Sequence, residues 1–321
     1  MSIKYKDFNN NIQENSFILL CVLRDEYILL EYFINYYEKL GVTHFIFIDN
    51  NSIDESFQYL LNKNDTNMQL YKNDKSFKDS NFGSKWIEEL LLKYCKDKWC
   101  LTIDIDELLY IKENNLNELR ENMIKKKSNI LLTMLLDMYS IKKCHYKKGN
   151  DFLNYCPYYD KFNLDYYTIY GDLKNINNNT DIYGGVRTRL FKTNCTLTKR
   201  NFFKYDFYNN YNLSGGFHAL LKKKDSNNLN IDIPCLQYYN DINLILHFKF
   251  IKSNIKDELL IKINNNNKLT NTTLNENNNF DIWCKEIKLY LENWKGFEYF
   301  NNKLYTCKYS DNFYNYFNLN N

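Results

Sequence analysis

Lys98-Trp99-Cys100-Leu101-Thr102-Ile103-Asp104-Ile105-Asp106-Glu107-Leu108-Leu109 is the stretch that decides how the rest of this chain is read. A short apolar run passes into alternating Ile and Asp. On an extended strand, residues i and i+2 share a face, which predicts Asp104 and Asp106 on one side and Ile103 and Ile105 on the other. Burying two unpartnered carboxylates is costly, so the place for them is a strand end open to solvent and ligand. Adjacent carboxylates repel unless a cation lies between them. Mg²⁺ and Mn²⁺ take oxygen ligands of this kind and commonly bridge them to substrate phosphates. An ordinary solvated strand-to-turn boundary has the same local sequence, so the surrounding pattern has to decide.

Upstream, Phe17 to Leu23 is a continuous apolar run, the mark of a strand buried on both faces of a parallel sheet. It ends in Arg24-Asp25-Glu26. Apolar residues at Ile28, Leu29, Tyr32, Phe33, Tyr36 and Tyr37 have helical spacing, and Gly41 closes that helix. Phe45 to Ile48 reads as a second strand, ending in Asp49-Asn50-Asn51-Ser52. Ser52 followed by Glu55 predicts a capping box for a helix through Leu61. Met68 to Tyr71 reads as a third strand and Ser84 to Tyr94 as a third helix, before the strand at Trp99–Ile103. Such alternation predicts an α/β fold in which a mostly parallel central sheet is flanked by helices. Ligands of these sheets bind beyond the carboxyl ends of the strands. Three of those ends are acidic or polar here and are expected to converge. No G-x-G-x-x-G or Walker loop occurs, so a nucleotide would be held by carboxylates and metal, not by a glycine cradle.

The composition limits the alternatives. A chain of 321 residues that is 44% apolar can build a large core, which excludes global disorder. Its net charge of +3 comes from well-mixed acids and bases, with no basic block to suggest a nucleic-acid partner. Nine scattered cysteines without a C-x-x-C pair argue for free thiols in a reducing, cytoplasmic setting. No run of about 18 apolar residues is present, so no transmembrane segment is expected. Residues 1–15 read as a polar tail and lack an apolar signal core.

Downstream, Ile130 to Leu136 reads as a strand followed by Asp137-Met138-Tyr139-Ser140. Residues 145–182 read as a tyrosine- and asparagine-rich loop. Gly184-Gly185-Val186-Arg187-Thr188-Arg189-Leu190-Phe191 reads as a glycine turn entering an alternating strand. That would put Arg187 and Arg189 on one face, where a guanidinium fork meets phosphate or carboxylate. His218 follows Ser214-Gly215-Gly216-Phe217. His247 interrupts the strand-like run Leu244–Phe250, where a neutral imidazole can complete a coordination shell begun by carboxylates. Residues 264–280 read as an Asn-rich loop, and Trp283 to Trp294 has helical spacing.

Taken in order, several of these pieces resemble family-2-like glycosyltransferases of the nucleotide-diphospho-sugar transferase (GT-A) fold, in the branch with an Asp-Ile-Asp-Glu motif. The matching pieces are Leu23-Arg24-Asp25-Glu26, Asp49-Asn50-Asn51-Ser52-Ile53-Asp54 and Asp104-Ile105-Asp106-Glu107. Downstream they are Leu135-Leu136-Asp137-Met138-Tyr139, Gly184-Gly185-Val186-Arg187, Gly216-Phe217-His218 and Leu246-His247-Phe248-Lys249. Ser140 stands where the resemblance leads one to expect proline or glycine. The resemblance implies a GT-A domain over residues 16–255, with residues 256–321 as an Asn-rich loop and C-terminal helical extension. It implies transfer of a sugar from a nucleotide-diphosphate donor to an acceptor of unknown kind, with inversion, aided by Mn²⁺ or Mg²⁺. Donor contacts would fall to Arg24, Glu26, Asp49, Asn51, Asp104 and Arg187. Metal ligands would be Asp104, Asp106 and His247, and the catalytic candidates are Asp137 as general base and His218 near the acceptor. Two other classes stay open: a nucleotidyltransferase on a related fold and a non-catalytic glycan-binding protein.

Overall fold

Seven successive residues, Phe17–Leu23 (β2), form a strand in which all but Val22 are buried. The six residues of His44–Asp49 (β3) are all buried too. Burial on both faces requires apolar side chains at successive positions, which is why these runs lack a period. The chain is described here by a computed structural model covering residues 2–8, 11–65, 67–140, 145–160, 167–171, 177–191, 194–206, 211–223, 236–252 and 297–299.

Ile3–Lys6 (β1) precedes β2. Then come Tyr27–Leu40 (α1), β3, Ser56–Asn62 (α2), Met68–Lys72 (β4), Ser84–Tyr94 (α3), Trp99–Thr102 (β5), Glu107–Tyr110 (β6), Leu116–Lys125 (α4) and Ile130–Asp137 (β7). Further on are Tyr158–Asp160 (β8), Tyr167–Tyr170 (β9), Asp181–Gly184 (β10), Gly185–Phe191 (α5), Thr198–Lys204 (β11), Tyr211–Leu213 (β12), Leu220–Lys222 (β13), Tyr238–His247 (β14) and Phe297–Tyr299 (β15). Among the described residues, nine strands form one sheet in the order β1-β4-β3-β2-β5-β11-β7-β14-β6. The run β4-β3-β2-β5 is parallel. β1 joins it antiparallel at one edge, and β11 lies antiparallel between β5 and β7. The described residues thus form a mixed α/β fold with a parallel half.

The helices are amphipathic as their spacing predicts. α1 buries Leu29, Leu30, Phe33, Ile34 and Tyr37, and α3 buries Trp86, Ile87, Leu90 and Leu91. Each fully buried large apolar side chain contributes about 1.5–3 kcal/mol. α1 stops at Gly41, whose φ of +112° few other residues tolerate, and the Gly41 N–H donates to the carbonyls of Tyr37 and Glu38.

The chain divides into two units. The first comprises Met1–Leu135, Tyr170–Asp181 and Thr198–Ile245, and the second Leu136–Ile169, Ile182–Leu197 and Leu246–Asn321. The last two residues of β7 and of β14 are counted with the second unit.

Several local expectations are corrected. Residues 1–15 are not wholly a tail, since Ile3–Lys6 pairs with β4. The Ser52–Glu55 capping box does not form: α2 starts after Glu55 with no side-chain cap, because the Ser52 hydroxyl accepts from the Asp25 N–H at 2.9 Å instead. Gly185–Phe191 is a helix, not an alternating strand, so the expected shared strand face of Arg187 and Arg189 is lost. Residues 145–182 contain short strands and a 3₁₀ turn at Phe152–Asn154. Their tyrosines include packing residues such as buried Tyr159. The expected loop at 264–280 and helix at Trp283–Trp294 lie outside the described residues. No described helix is long and apolar enough to cross a membrane. Cys21, Cys95 and Cys100 are buried free thiols.

Candidate metal and nucleotide site

In the first unit, the carboxyl ends of β2 and β3 are laced together by their loops. The Asp25 carboxylate accepts from the Ile53 N–H at 2.7 Å, and that of Asp54 from the Tyr27 N–H at 3.0 Å. The Glu26 N–H donates to the Ser56 hydroxyl at 2.8 Å. Asp25 and Asn51 adopt left-handed backbone, φ +56° and +59°, which acidic and amide residues tolerate better than most. The Asn50 side chain donates to the carbonyls of Asn73 and Lys75, at 2.8 and 2.9 Å, bringing in the end of β4. Inside this lacing sits Asp49, 0% exposed. Its Oδ1 accepts from the Ser52 N–H at 3.0 Å, while its buried Oδ2 has no hydrogen-bond partner among the described residues. A buried carboxylate oxygen without a partner is costly and calls for an explanation such as ligand recognition.

β5 ends at Thr102, so Asp104 and Asp106 lie in the turn beyond the strand that was expected to carry them. The turn is closed by the Glu107 N–H donating to the Asp104 carbonyl at 3.1 Å. The alternation survives in burial alone: Ile103 and Ile105 are buried, while Asp104 and Asp106 are half-buried. Glu107, opening β6, is buried and is held from behind by α1. The Tyr37 hydroxyl donates to its carbonyl at 3.0 Å and accepts from the Leu109 N–H at 2.8 Å.

One residue that the sequence did not flag completes this arrangement. Lys199 of β11 is 2% exposed. Its ammonium donates to Glu107 Oε1 at 2.6 Å and to Asp104 Oδ2 at 3.1 Å. Burial alone would lower its pKa, but Asp104 and then Glu107 hold it above the ordinary lysine value. Cys21 on β2 has its pKa raised well above normal by burial, and further by Asp104, Glu26, Glu107 and Asp106. These carboxylates follow β2 or lie between the end of β5 and the start of β6, and Lys199 pairs with two of them, Asp104 and Glu107. Carboxylate oxygens are the donors that a hard divalent cation takes. Arg24 is largely exposed beside Asp25, at 3.6 Å.

His218 also lies in the first unit, after the 3₁₀ turn Gly215–Phe217 that joins β12 to β13. Its Nδ1 lies 2.6 Å from the Thr198 carbonyl, so Nδ1 carries the hydrogen and donates. Its own carbonyl accepts from the buried Arg200 guanidinium.

In the second unit, Asp137, Arg187 and His247 come together although they are far apart in sequence. Arg187 Nε donates to Asp137 Oδ1 at 2.8 Å, and His247 Nδ1 lies 2.7 Å from the same oxygen. Burial pushes the Asp137 pKa up, but Arg187 and His247 outweigh it and hold the carboxyl below the usual aspartate value.

No protein-family model and no curated protein matches the chain. Among solved structures, residues 1–349 of S. aureus TarS align at 17% identity over 55% of this chain and 48% of that one, with a TM-score of 0.29. The chain therefore spans about half the length of the TarS structure. A 4-diphosphocytidyl-2C-methyl-D-erythritol synthase from Anaerococcus prevotii aligns at 9% identity over 77% of this chain and 94% of that one, with a TM-score of 0.32.

Proposed function

We propose that this chain is a metal-dependent glycosyltransferase that moves a sugar from a nucleotide-diphosphate donor to an acceptor hydroxyl, with inversion. The observation that carries this reading is the pairing of buried Lys199 with Glu107 and with half-buried Asp104, in the turn that also holds Asp106. The orphaned Oδ2 of Asp49, one strand away, adds a hydrogen-bond acceptor suited to a nucleoside.

In this reading Asp49 recognises the donor's base or ribose, while Arg24, Glu26 and Asn51 line the approach. Asp104, held at Oδ2 by Lys199, would contact the ribose and help to hold the cation. Asp106 is the ligand for Mn²⁺ or Mg²⁺ in the first unit, and His247 is the further ligand that the sequence pattern suggests. When bound, such an ion neutralises the departing diphosphate as a Lewis acid. His218, with its hydrogen fixed on Nδ1, offers Nε2 to take the acceptor's proton.

A thermal-shift screen of UDP- and GDP-sugars, with and without Mn²⁺, tests the reading. The expected result is a rise in Tm only when sugar nucleotide and metal are both present. Asp106→Ala is expected to abolish that rise and the sugar transfer while leaving stability within about 0.5 kcal/mol. Unchanged activity in this variant rejects the metal assignment. Release of pyrophosphate from a nucleoside triphosphate would instead identify a nucleotidyltransferase, the class whose glycine-rich loop Arg24-Asp25-Glu26 lacks. Glycan binding without nucleotide or turnover would identify a lectin-like role.

A further inference from the structure

The Asp137 side chain, which ends β7, is 1% exposed. Its Oδ1 accepts from Arg187 Nε at 2.8 Å and from His247 Nδ1 at 2.7 Å. Its Oδ2 faces the Arg187 backbone N–H at 3.4 Å, and a Cβ on Gly185, at φ +76°, would approach that oxygen to 3.2 Å. The Met138 N–H donates to the His247 carbonyl at 2.8 Å, so backbone as well as side chain ties the histidine to this aspartate.

A general base must come within about 2.6–3.2 Å of the group it deprotonates. Asp137 is enclosed by its own chain, and three donors already crowd its two oxygens. That geometry serves a different purpose. An ionised carboxylate only accepts, so His247 Nδ1 must carry the hydrogen, and in the neutral ring the lone pair is then on Nε2. We infer that Asp137 is a positioning residue, not the base: it fixes the ring and tautomer of His247 so that Nε2 is the ligating atom for a divalent cation, with Arg187 Nε donating to the same carboxylate oxygen. The cation part rests on the function proposed above; the tautomer part does not. Carboxylate–histidine–metal relays of this kind orient the ligand and raise its basicity.

The first test needs no activity. The chain has four histidines, so long-range ¹H–¹⁵N NMR at pH 8.5, with His247→Gln for assignment, can resolve the His247 ring. The expected result is a hydrogen on Nδ1 and none on Nε2; a hydrogen on Nε2 overturns the inference. The second test is titration of the full-length protein with Mn²⁺ alone. Asp137→Asn, Asp137→Ala and His247→Gln are each expected to weaken binding by about 10–100-fold, with no further loss on combining them. Asp137→Asn that keeps wild-type Mn²⁺ affinity but loses turnover would make Asp137 the base and overturn the proposal. Wild-type protein that binds no Mn²⁺ overturns the assignment of Nε2 to a cation. Wild-type protein that binds Mn²⁺ as described but transfers no sugar refutes the proposed function alone.

Discussion

Lys199 and Arg200 are consecutive residues of β11, both cationic and both buried, yet they meet opposite kinds of partner. Lys199 faces the carboxylates of Asp104 and Glu107. Arg200, 0% exposed, faces backbone: it donates to the carbonyls of Asn178 at 3.0 Å, Thr180 at 2.9 Å and His218, with Asp181 at 3.2 Å and the Tyr238 hydroxyl at 3.2 Å as further partners. A register shift between Lys199 and Phe202 against β7 marks a bulge, which re-aims side chains along a strand. The difference shows two uses of a buried cation. The compact ammonium balances charge in an acidic cluster, while the planar fork donates to carbonyls of two segments, the turn at Asn178–Thr180 and His218. The first cation belongs to the candidate chemistry and the second to the frame that presents His218.

The sharpest way to break this contrast is Arg200→Met. It strands three carbonyls at about 1–3 kcal/mol each, so we expect a loss of roughly 5 kcal/mol, read as a fall in urea midpoint. A loss under about 1 kcal/mol would show that the loop finds other partners.

Lys199→Met comes next, at about 3–5 kcal/mol, because it leaves Glu107 buried without its cation. Adding Glu107→Leu is expected to restore at least half of that, since an apolar pair can replace a buried ion pair. No recovery in the double variant would show that Lys199 matters through something other than charge.

The smallest effect separates the two cations by pH. The folded Lys199 pKa is raised above its unfolded value, so its contribution is complete below the unfolded pKa and is lost as pH rises toward the folded one. The stability gap between wild type and Lys199→Met should therefore begin to shrink above about pH 10.4, whereas the gap for Arg200→Met should stay level because guanidinium does not titrate there. Parallel alkaline limbs in the two denaturation series would contradict the assignment.

The parts of the fold that could be read in advance are those where one element explains its own pattern. β2 and β3 are continuous apolar runs because both faces are covered, and α1 shows its buried stripe and its stop at Gly41. β11 could not be read that way. Thr-Lys-Arg-Asn-Phe-Phe-Lys looks like an exposed segment, yet its first six residues are buried. Its polar groups are tolerable inside only because Asp104, Glu107 and the 178–180 carbonyls reach them from elsewhere in the chain. The Ser52 capping signal failed for a related reason: the Asp25 N–H, 27 residues away, took the hydroxyl first.

The order of letters alone determined the alternation of strand and helix in the first hundred residues and the acidic character of three strand ends, because hydrophobic period and turn residues act locally. Only the three-dimensional arrangement decided that Lys199 balances the Asp-Ile-Asp-Glu turn and that Asp137 grips His247 and Arg187. Pairing between charges far apart in sequence depends on where packing brings the strands, and no local pattern records that.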